Sequence, residues 1–155
     1  MSATIPDTDF APEMDPPFAP AWWLPGGHLQ TLWNPFCRRT PVLQRRRERL
    51  WLADEDFIDL DWHGPHDPAA PLVLVLHGLT GSSNSLYVLG LQRQLASRNW
   101  ASVAINWRGC SGEPNLLPRA YHSGASDDLT EVIAHLQAAR PLAPLYAVGY
   151  SLGGN

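Results

Sequence analysis

A serine flanked by two glycines carries the clearest chemical potential in this sequence. Residues 149–153 read Gly-Tyr-Ser-Leu-Gly, a G-x-S-x-G motif, and they follow a short, apolar, β-prone run at residues 145–148. A strand that enters this motif places the serine on a strained turn before a helix, with its hydroxyl raised above the sheet. Gly149 and Gly153 suit such a turn because a Cβ at either position would collide with neighbouring backbone. The pattern predicts that Ser151 is a nucleophile.

A serine hydroxyl needs help from other groups to act as a nucleophile at neutral pH. A base must lie within hydrogen-bond reach, a further group must orient that base, and preorganised N–H donors must hold the oxyanion of the tetrahedral intermediate. The backbone N–H of Leu152, directly after the serine, is one candidate donor. The backbone N–H of Leu79, in the loop after the first parallel strand, is the other. We therefore predict an oxyanion hole formed by Leu79 and Leu152.

Periodic patterns predict the elements that would position this serine. Two strand-like runs at residues 45–51 and 57–62 predict an antiparallel pair, and the second run alternates like a half-buried strand. An unbroken apolar run at residues 72–76 predicts a central parallel strand. The remaining predicted elements are a helix at about 85–98, a strand at 101–106, a helix at 127–139 and a strand at 145–150. This order predicts an α/β fold with a mostly parallel sheet after an antiparallel N-terminal strand pair.

Composition divides the chain and excludes several classes of function. Residues 1–20 hold five prolines and predict a flexible arm, whereas residues 21–155 are predicted to be the N-terminal part of one domain. The net charge of −4 argues against nucleic acid as a partner. Cys37 and Cys110 give neither a disulfide framework nor metal-ligand spacing. No signal peptide is visible, and the apolar run at 72–76 is too short to cross a bilayer. We predict a cytoplasmic protein with no transmembrane segment and no metal site.

Four separated segments of the sequence form an ordered set. In chain order they are PGGHLQT at 25–31, HGLTGS at 77–82, NWRGCSGEPN at 106–115 and GYSLGGN at 149–155. Together these segments resemble the YheT-like α/β-hydrolase family. Four ordered segments are far more specific than G-x-S-x-G alone. The resemblance implies an α/β-hydrolase fold and hydrolysis of carboxylic esters through an acyl-enzyme. It also implies no cofactor, a small-molecule or lipid-like ester as substrate, and Ser151 as the nucleophile.

The histidine base is expected later in the chain. In this fold the triad runs in the order serine, acid, histidine, and all six histidines of the sequence precede Ser151. We interpret His77 as a residue that shapes the loop below the oxyanion hole, and His135 as structural or solvent-facing. The chain is thus expected to be truncated after the nucleophile strand and to be inactive by itself. A catalytically inactive fragment, or a binding protein that keeps the fold without the chemistry, stays open as an alternative. Oligomeric state and the acyl and alcohol groups of the substrate also stay open.

Several polar clusters have simpler structural interpretations. The arginine-rich run at residues 38–49 is interpreted as an exposed strand edge with solvated charges. The segment 108–112 is interpreted as a glycine-permitted turn in which Arg108 holds loop carbonyls. His122 is expected to bond within its own loop. The acidic and histidine residues between 59 and 67 are not expected to form a metal site, because strand alternation and prolines scatter them.

Overall fold

The structure, a computed structural model, describes residues 19–37 and 39–155. The chain divides into two units, Met1–Arg38 and Arg39–Asn155. The predicted flexible arm at residues 1–20 falls almost wholly outside the described residues. Within the first unit, helix α1 spans Gly27–Cys37, a segment for which the sequence predicted no helix.

The second unit is built on one five-stranded sheet. Its strands are β1 Arg46–Trp51, β2 Phe57–His63, β3 Leu72–Leu76, β4 Ala101–Asn106 and β5 Leu145–Gly149, in the spatial order β1-β2-β4-β3-β5. β2 is antiparallel to both of its neighbours, whereas β3 pairs in parallel with β4 and β5. Helix α2 spans Leu86–Ala96, helix α3 spans Ser126–Ala139, and a 3-10 helix spans Ser151–Gly154. The predicted α/β architecture is therefore confirmed.

The two faces of the sheet form separate apolar layers. Along β3, Leu72, Leu74 and Leu76 belong to the layer that includes Val132 and Leu136 of α3. The alternate residues of β3 belong to a second layer that includes Val88 of α2. Successive side chains of a strand point to opposite faces, so a strand covered on both faces must be apolar throughout. Helices α2 and α3 therefore cover opposite faces of the sheet, and β3 is buried between them.

The prediction that β2 is half-buried is wrong, because residues 57–62 are all buried. The alternating carboxylates are accommodated in the interior because they pair with arginines of β1. Arg47 donates to both carboxylate oxygens of Asp61 at 2.9 and 2.7 Å, and Arg49 donates to both oxygens of Asp59 at 2.8 and 2.9 Å. Burial opposes ionisation of Asp61, but the hydrogen bonds from Arg47 and other donors keep its pKa below the usual range.

The same pairs correct the prediction of solvated arginines. Arg47 and Arg49 lie on an edge strand, as predicted, but their guanidinium groups reach inward to buried carboxylates. The guanidinium of Arg49 also lies 3.8 Å from the centre of the Phe57 ring. Bidentate pairing satisfies the planar fork of each arginine and the two oxygens of each aspartate at once.

Candidate active site

Ser151 lies on a sharp bend directly after β5. The Tyr150 N–H donates to the carbonyl of Leu76 at 3.0 Å, which continues the pairing with β3 past the end of the strand. Ser151 then takes a φ of +52°, in the left-handed region that few residues other than glycine adopt. The Gly153 N–H donates back to the Tyr150 carbonyl at 2.9 Å and closes the turn. Ser151 is exposed on this bend.

Three glycines allow the backbone to crowd around this bend. A methyl group on Gly153 would lie 2.6 Å from the Leu76 carbonyl oxygen and 2.7 Å from that of His77. A methyl group on Gly149 would overlap the backbone that follows the bend. One on Gly78, in the loop after β3, would lie 3.3 Å from the Cβ of Ser151. The bend and the loop after β3 therefore touch through glycines.

Gly153→Ala is expected to destabilise the complete protein by about 2 kcal/mol, since the added methyl group would overpack against fixed backbone. A matched control is Gly90→Ala in helix α2, where a Cβ would meet nothing within 4 Å. That change is expected to stabilise the protein by about 0.5–1 kcal/mol, because alanine is the better helix former. Urea denaturation of both variants measures the contrast. Equal stabilities would contradict the tight packing at Gly153.

The loop after β3 places Leu79, one of the two predicted oxyanion donors, directly after the glycine that contacts Ser151. Gly78 precedes Leu79 and lies against Ser151, and the side chain of Leu79 is 66% exposed. Within residues 19–37 and 39–155, neither the Leu79 N–H nor the Leu152 N–H has a hydrogen-bond acceptor. Leu152 lies in the first turn of the 3-10 helix, where backbone N–H groups have no partner inside the helix.

The amides on either side of Leu79 are bonded to tyrosines. The Gly78 N–H donates to the phenol oxygen of Tyr87, in the first turn of α2, at 3.1 Å. The Thr80 N–H donates to the phenol oxygen of Tyr121, in the loop between β4 and α3, at 2.8 Å. Thr80 itself has a φ of +58°. Neither tyrosine contact is predictable from the sequence, because both contacts depend on the packing of distant segments.

His77 shapes the base of the loop, as interpreted from the sequence. It is fully buried, and its Nδ1 donates to the Gly78 carbonyl at 2.8 Å while its Nε2 accepts from the Trp107 N–H at 3.3 Å. Burial lowers the pKa of His77, so the ring stays neutral. Both ring nitrogens are committed to backbone groups, and His77 is therefore unsuited to act as the general base for Ser151.

Three other histidines bond to groups outside the serine bend. His122 accepts from the Gly124 N–H at 3.0 Å, which confirms a bond within its own loop. His135 of α3 lies 2.6 Å from a carboxylate oxygen of Glu48 on β1, a structural role. His63 contacts the carbonyl of Gln44 at 2.9 Å. Each of these rings bonds to a group remote in sequence from the serine bend.

Arg108 anchors the long loop after β4 through carboxylates, which corrects the expectation of loop carbonyls. Its side chain is buried and donates twice to Asp128 of α3, both times at 2.8 Å. A third nitrogen lies 3.0 Å from Asp56 and 2.9 Å from Asp54. Acidic residues satisfy the buried charge of the guanidinium, which carbonyls alone would not neutralise. The predicted turn is confirmed by positive φ values of +77° at Gly109 and +95° at Gly112.

Asp56 also anchors the loop after β4, because its carboxylate accepts hydrogen bonds from residues of that loop. It accepts hydrogen bonds from the Leu116 N–H at 3.0 Å and from the Asn115 amide at 2.8 Å. Burial opposes ionisation, yet these hydrogen bonds lower the pKa of Asp56 to about 2. The carboxylate therefore stays charged and fixes the loop that carries Tyr121.

The residues that the structure describes hold neither a metal cluster nor a membrane-spanning helix. Within residues 19–37 and 39–155, no three His, Cys, Asp or Glu side chains form a group that could hold a metal ion. Asp59 and Asp61 are bonded to arginines instead. Over the same ranges, every helix is too short or too polar to cross a membrane.

Sequence relatives and solved structures place this geometry in a known family. Residues 71–155 match the model of the α/β-hydrolase fold family. The chain is 45% identical over 132 residues to YheT of Escherichia coli (strain K12), which is provisionally named an esterase, covering 83% of this chain and 38% of YheT. It is 35% identical over 153 residues to phospholipase ABHD3 of Homo sapiens, covering 94% of this chain and 37% of ABHD3. The chain thus spans less than two-fifths of the length of these curated relatives.

Solved structures agree on the fold. Est1E from Butyrivibrio proteoclasticus, with bound ferulic acid, matches with a TM-score of 0.60 at 17% identity, covering 69% of this chain and 43% of Est1E. The Pyrococcus furiosus esterase Pf2001 matches with a TM-score of 0.58 at 18% identity, covering 72% of this chain and 43% of Pf2001. The family match covers more than half of the chain and includes the serine bend. The chain therefore belongs to the α/β-hydrolase fold family, as a YheT-like member.

Proposed function

We propose that the complete protein is a serine hydrolase that cleaves carboxylic esters, with Ser151 as its nucleophile. The observation that carries the proposal is the bend itself: an exposed serine with a φ of +52°, packed against the glycine before Leu79. Strain at a functional residue persists only where the surrounding structure enforces it. Here the enforcing contacts are the close approaches at the neighbouring glycines.

The proposed reaction is acyl transfer in two steps, acylation of Ser151 by the ester and hydrolysis of the acyl-enzyme by water. The Ser151 oxygen attacks the ester carbonyl carbon while a base takes the serine proton, and the carbonyl oxygen becomes an oxyanion. The N–H groups of Leu79 and Leu152 stabilise that oxyanion. The C–O bond to the alcohol then breaks, and the alcohol leaves with the proton from the base. Water, activated by the same base, hydrolyses the acyl-serine ester and regenerates the hydroxyl.

The base and its carboxylate partner are proposed to come from a part of the complete protein that this chain does not include. The four histidines with assigned contacts in the second unit, at 63, 77, 122 and 135, bond to other groups. The curated relatives extend over more than twice the length spanned here, which leaves room for an acid and a histidine in the order typical of the fold. That the 155-residue chain is inactive by itself stays a prediction.

The proposed substrate class is a small or lipid-like ester. The names of the relatives support hydrolysis, since one is provisionally an esterase and another is a phospholipase. The acyl-enzyme mechanism needs no cofactor, because the serine supplies the nucleophile and backbone amides stabilise the charge. Cytoplasmic location stays a prediction.

Labelling with a fluorophosphonate tests the proposal, because such probes react with activated serines. In the complete protein we expect one label per chain, recovered on the peptide that contains Ser151. Ser97→Ala is a matched control, since Ser97 is an exposed serine whose hydroxyl donates to the Gln94 carbonyl at the end of α2. Labelling that persists in Ser151→Ala would mean that another residue is the nucleophile and would overturn the assignment. Absence of labelling from the unmodified protein would overturn it in favour of a binding protein without the chemistry.

A further inference from the structure

We propose that Tyr87 and Tyr121 are positioning residues that hold the Leu79 N–H in the orientation an oxyanion requires. The inference rests on the proposed function, and it assigns to each side chain a role that acts through a backbone amide. It starts from three consecutive backbone amides in the loop after β3. The outer two, at Gly78 and Thr80, are each bonded to a phenol oxygen.

The two phenol bonds fix the peptide planes on both sides of the donor. The Gly78 N–H lies in the plane before the one that contains the Leu79 N–H, and the Thr80 N–H lies in the plane after it. Holding both flanking planes leaves the central plane little freedom to rotate. Within the described residues the central N–H alone of the three has no acceptor. An oxyanion hole is effective because its donors are aimed before the reaction begins.

The loop needs such restraint because its own sequence provides little. Gly78 and Gly81 flank the donor and its neighbour, and glycine permits more backbone conformations than any other residue. Thr80 adopts a φ of +58°, which is unfavourable for a threonine without supporting contacts. A hydrogen bond from the Gly81 N–H to the Gly78 carbonyl at 3.0 Å closes the turn but leaves the orientation of the central amide unfixed.

Tyr87 connects the loop to the nucleophile bend. Its ring lies 4.5 Å, centre to centre, from the ring of Tyr150, the residue before Ser151. The same side chain therefore contacts the segment that carries the nucleophile and bonds the segment that carries the proposed donor. A displacement of either segment would disturb the other through this ring.

Tyr121 is held in place by aromatic packing beneath the loop. Its ring is stacked on Trp107 at 6.1 Å with an interplanar angle of 5°, and it meets the ring of His77 edge-on at 5.9 Å. Burial raises the pKa of Tyr121, so its hydroxyl stays neutral at physiological pH. A phenol fixed in this way can restrain the Thr80 amide without itself moving.

Removing each hydroxyl while keeping each ring tests the inference in the complete protein. Tyr87→Phe and Tyr121→Phe are each expected to lower kcat about tenfold with KM within about twofold of the unmodified enzyme, a fraction of the 10²–10³-fold loss that follows removal of one oxyanion donor. The double variant is expected to lose about 100-fold. Affinity for a trifluoromethyl ketone, which forms a tetrahedral adduct with serine, should fall by the same factors. Tyr146→Phe is the matched control, since this half-exposed tyrosine of β5 stacks on Trp100 instead.

The outcomes separate this inference from the proposed function. If Ser151 is labelled by fluorophosphonate in every variant but kcat and ketone affinity stay unchanged, the positioning role is wrong and the hydrolase function stands. If kcat/KM falls only through KM, or only the unfolding temperature falls, the hydroxyls act on binding or stability and the inference is also wrong. If the unmodified protein is not labelled at Ser151, both proposals fail together.

Discussion

Ser151→Ala is expected to lower kcat for ester hydrolysis by the complete protein by about 10⁶-fold, with little change in KM. The change removes the only atom proposed to form the acyl-enzyme, while the exposed position of Ser151 leaves substrate access unaltered. Residual hydrolysis is expected from the oxyanion donors and from substrate binding alone. Steady-state kinetics with a chromogenic short-chain ester measures the loss.

Two comparisons make this result specific. Ser97→Ala, on the exposed end of α2, is expected to retain the kcat of the unmodified enzyme. Alanine and serine are similarly strained at the φ of +52° found at Ser151, so we expect the unfolding temperature of the alanine variant to stay close to that of the parent. A loss below about tenfold in Ser151→Ala would mean that another residue forms the acyl-enzyme, and would refute the proposed function.

Arg108→Met is expected to destabilise the complete protein by about 3–5 kcal/mol. The variant keeps most of the side-chain volume. It leaves Asp56 and Asp128, which are 0% and 2% exposed, without the cation that they share. Removing one member of a buried ionic group costs more than the group itself contributes, because the remaining charges stay out of water. Urea denaturation at neutral pH measures the change in the free energy of unfolding.

Arg119→Met is the matched control for this charge network. Arg119 also approaches Asp54, at 3.2 Å, but its side chain is 41% exposed. Exposed ion pairs contribute about 0–1 kcal/mol, so this variant should unfold almost like the parent. If Arg108→Met cost no more than Arg119→Met, the network would not be what anchors the loop after β4.

Much of the fold follows from patterns within short stretches of sequence. The unbroken apolar run of β3 predicts a strand that is buried on both faces. The i, i+3, i+4, i+7 spacing of apolar residues in α3 predicts a helix that is buried on one face. The burial of β2 was missed, although a signal exists. Arginines at 47 and 49 and aspartates at 59 and 61 share a spacing of two, and the antiparallel register places Arg47 opposite Asp61 and Arg49 opposite Asp59.

The site divides in the same way between local and distant determinants. Ser151 and Leu152 are predicted by the motif because a strand, a serine and two glycines in sequence suffice to specify the bend. Tyr87 lies nine residues along the chain from Gly78, whose N–H donates to its hydroxyl, and Tyr121 lies 41 residues from Thr80, whose N–H donates to it. Neither tyrosine can be predicted from composition or periodicity, because each contact depends on how helix α2 or the long loop after β4 packs against the sheet.

The charge pairs between β1 and β2 also restrict how the hairpin can be assembled. A slip of one residue would place each aspartate opposite a different neighbour and turn its side chain to the other face of the sheet. In the folded sheet at least one of the two interior carboxylates would then face no arginine, at a cost of several kcal/mol. The paired charges therefore favour the native register of β1 against β2.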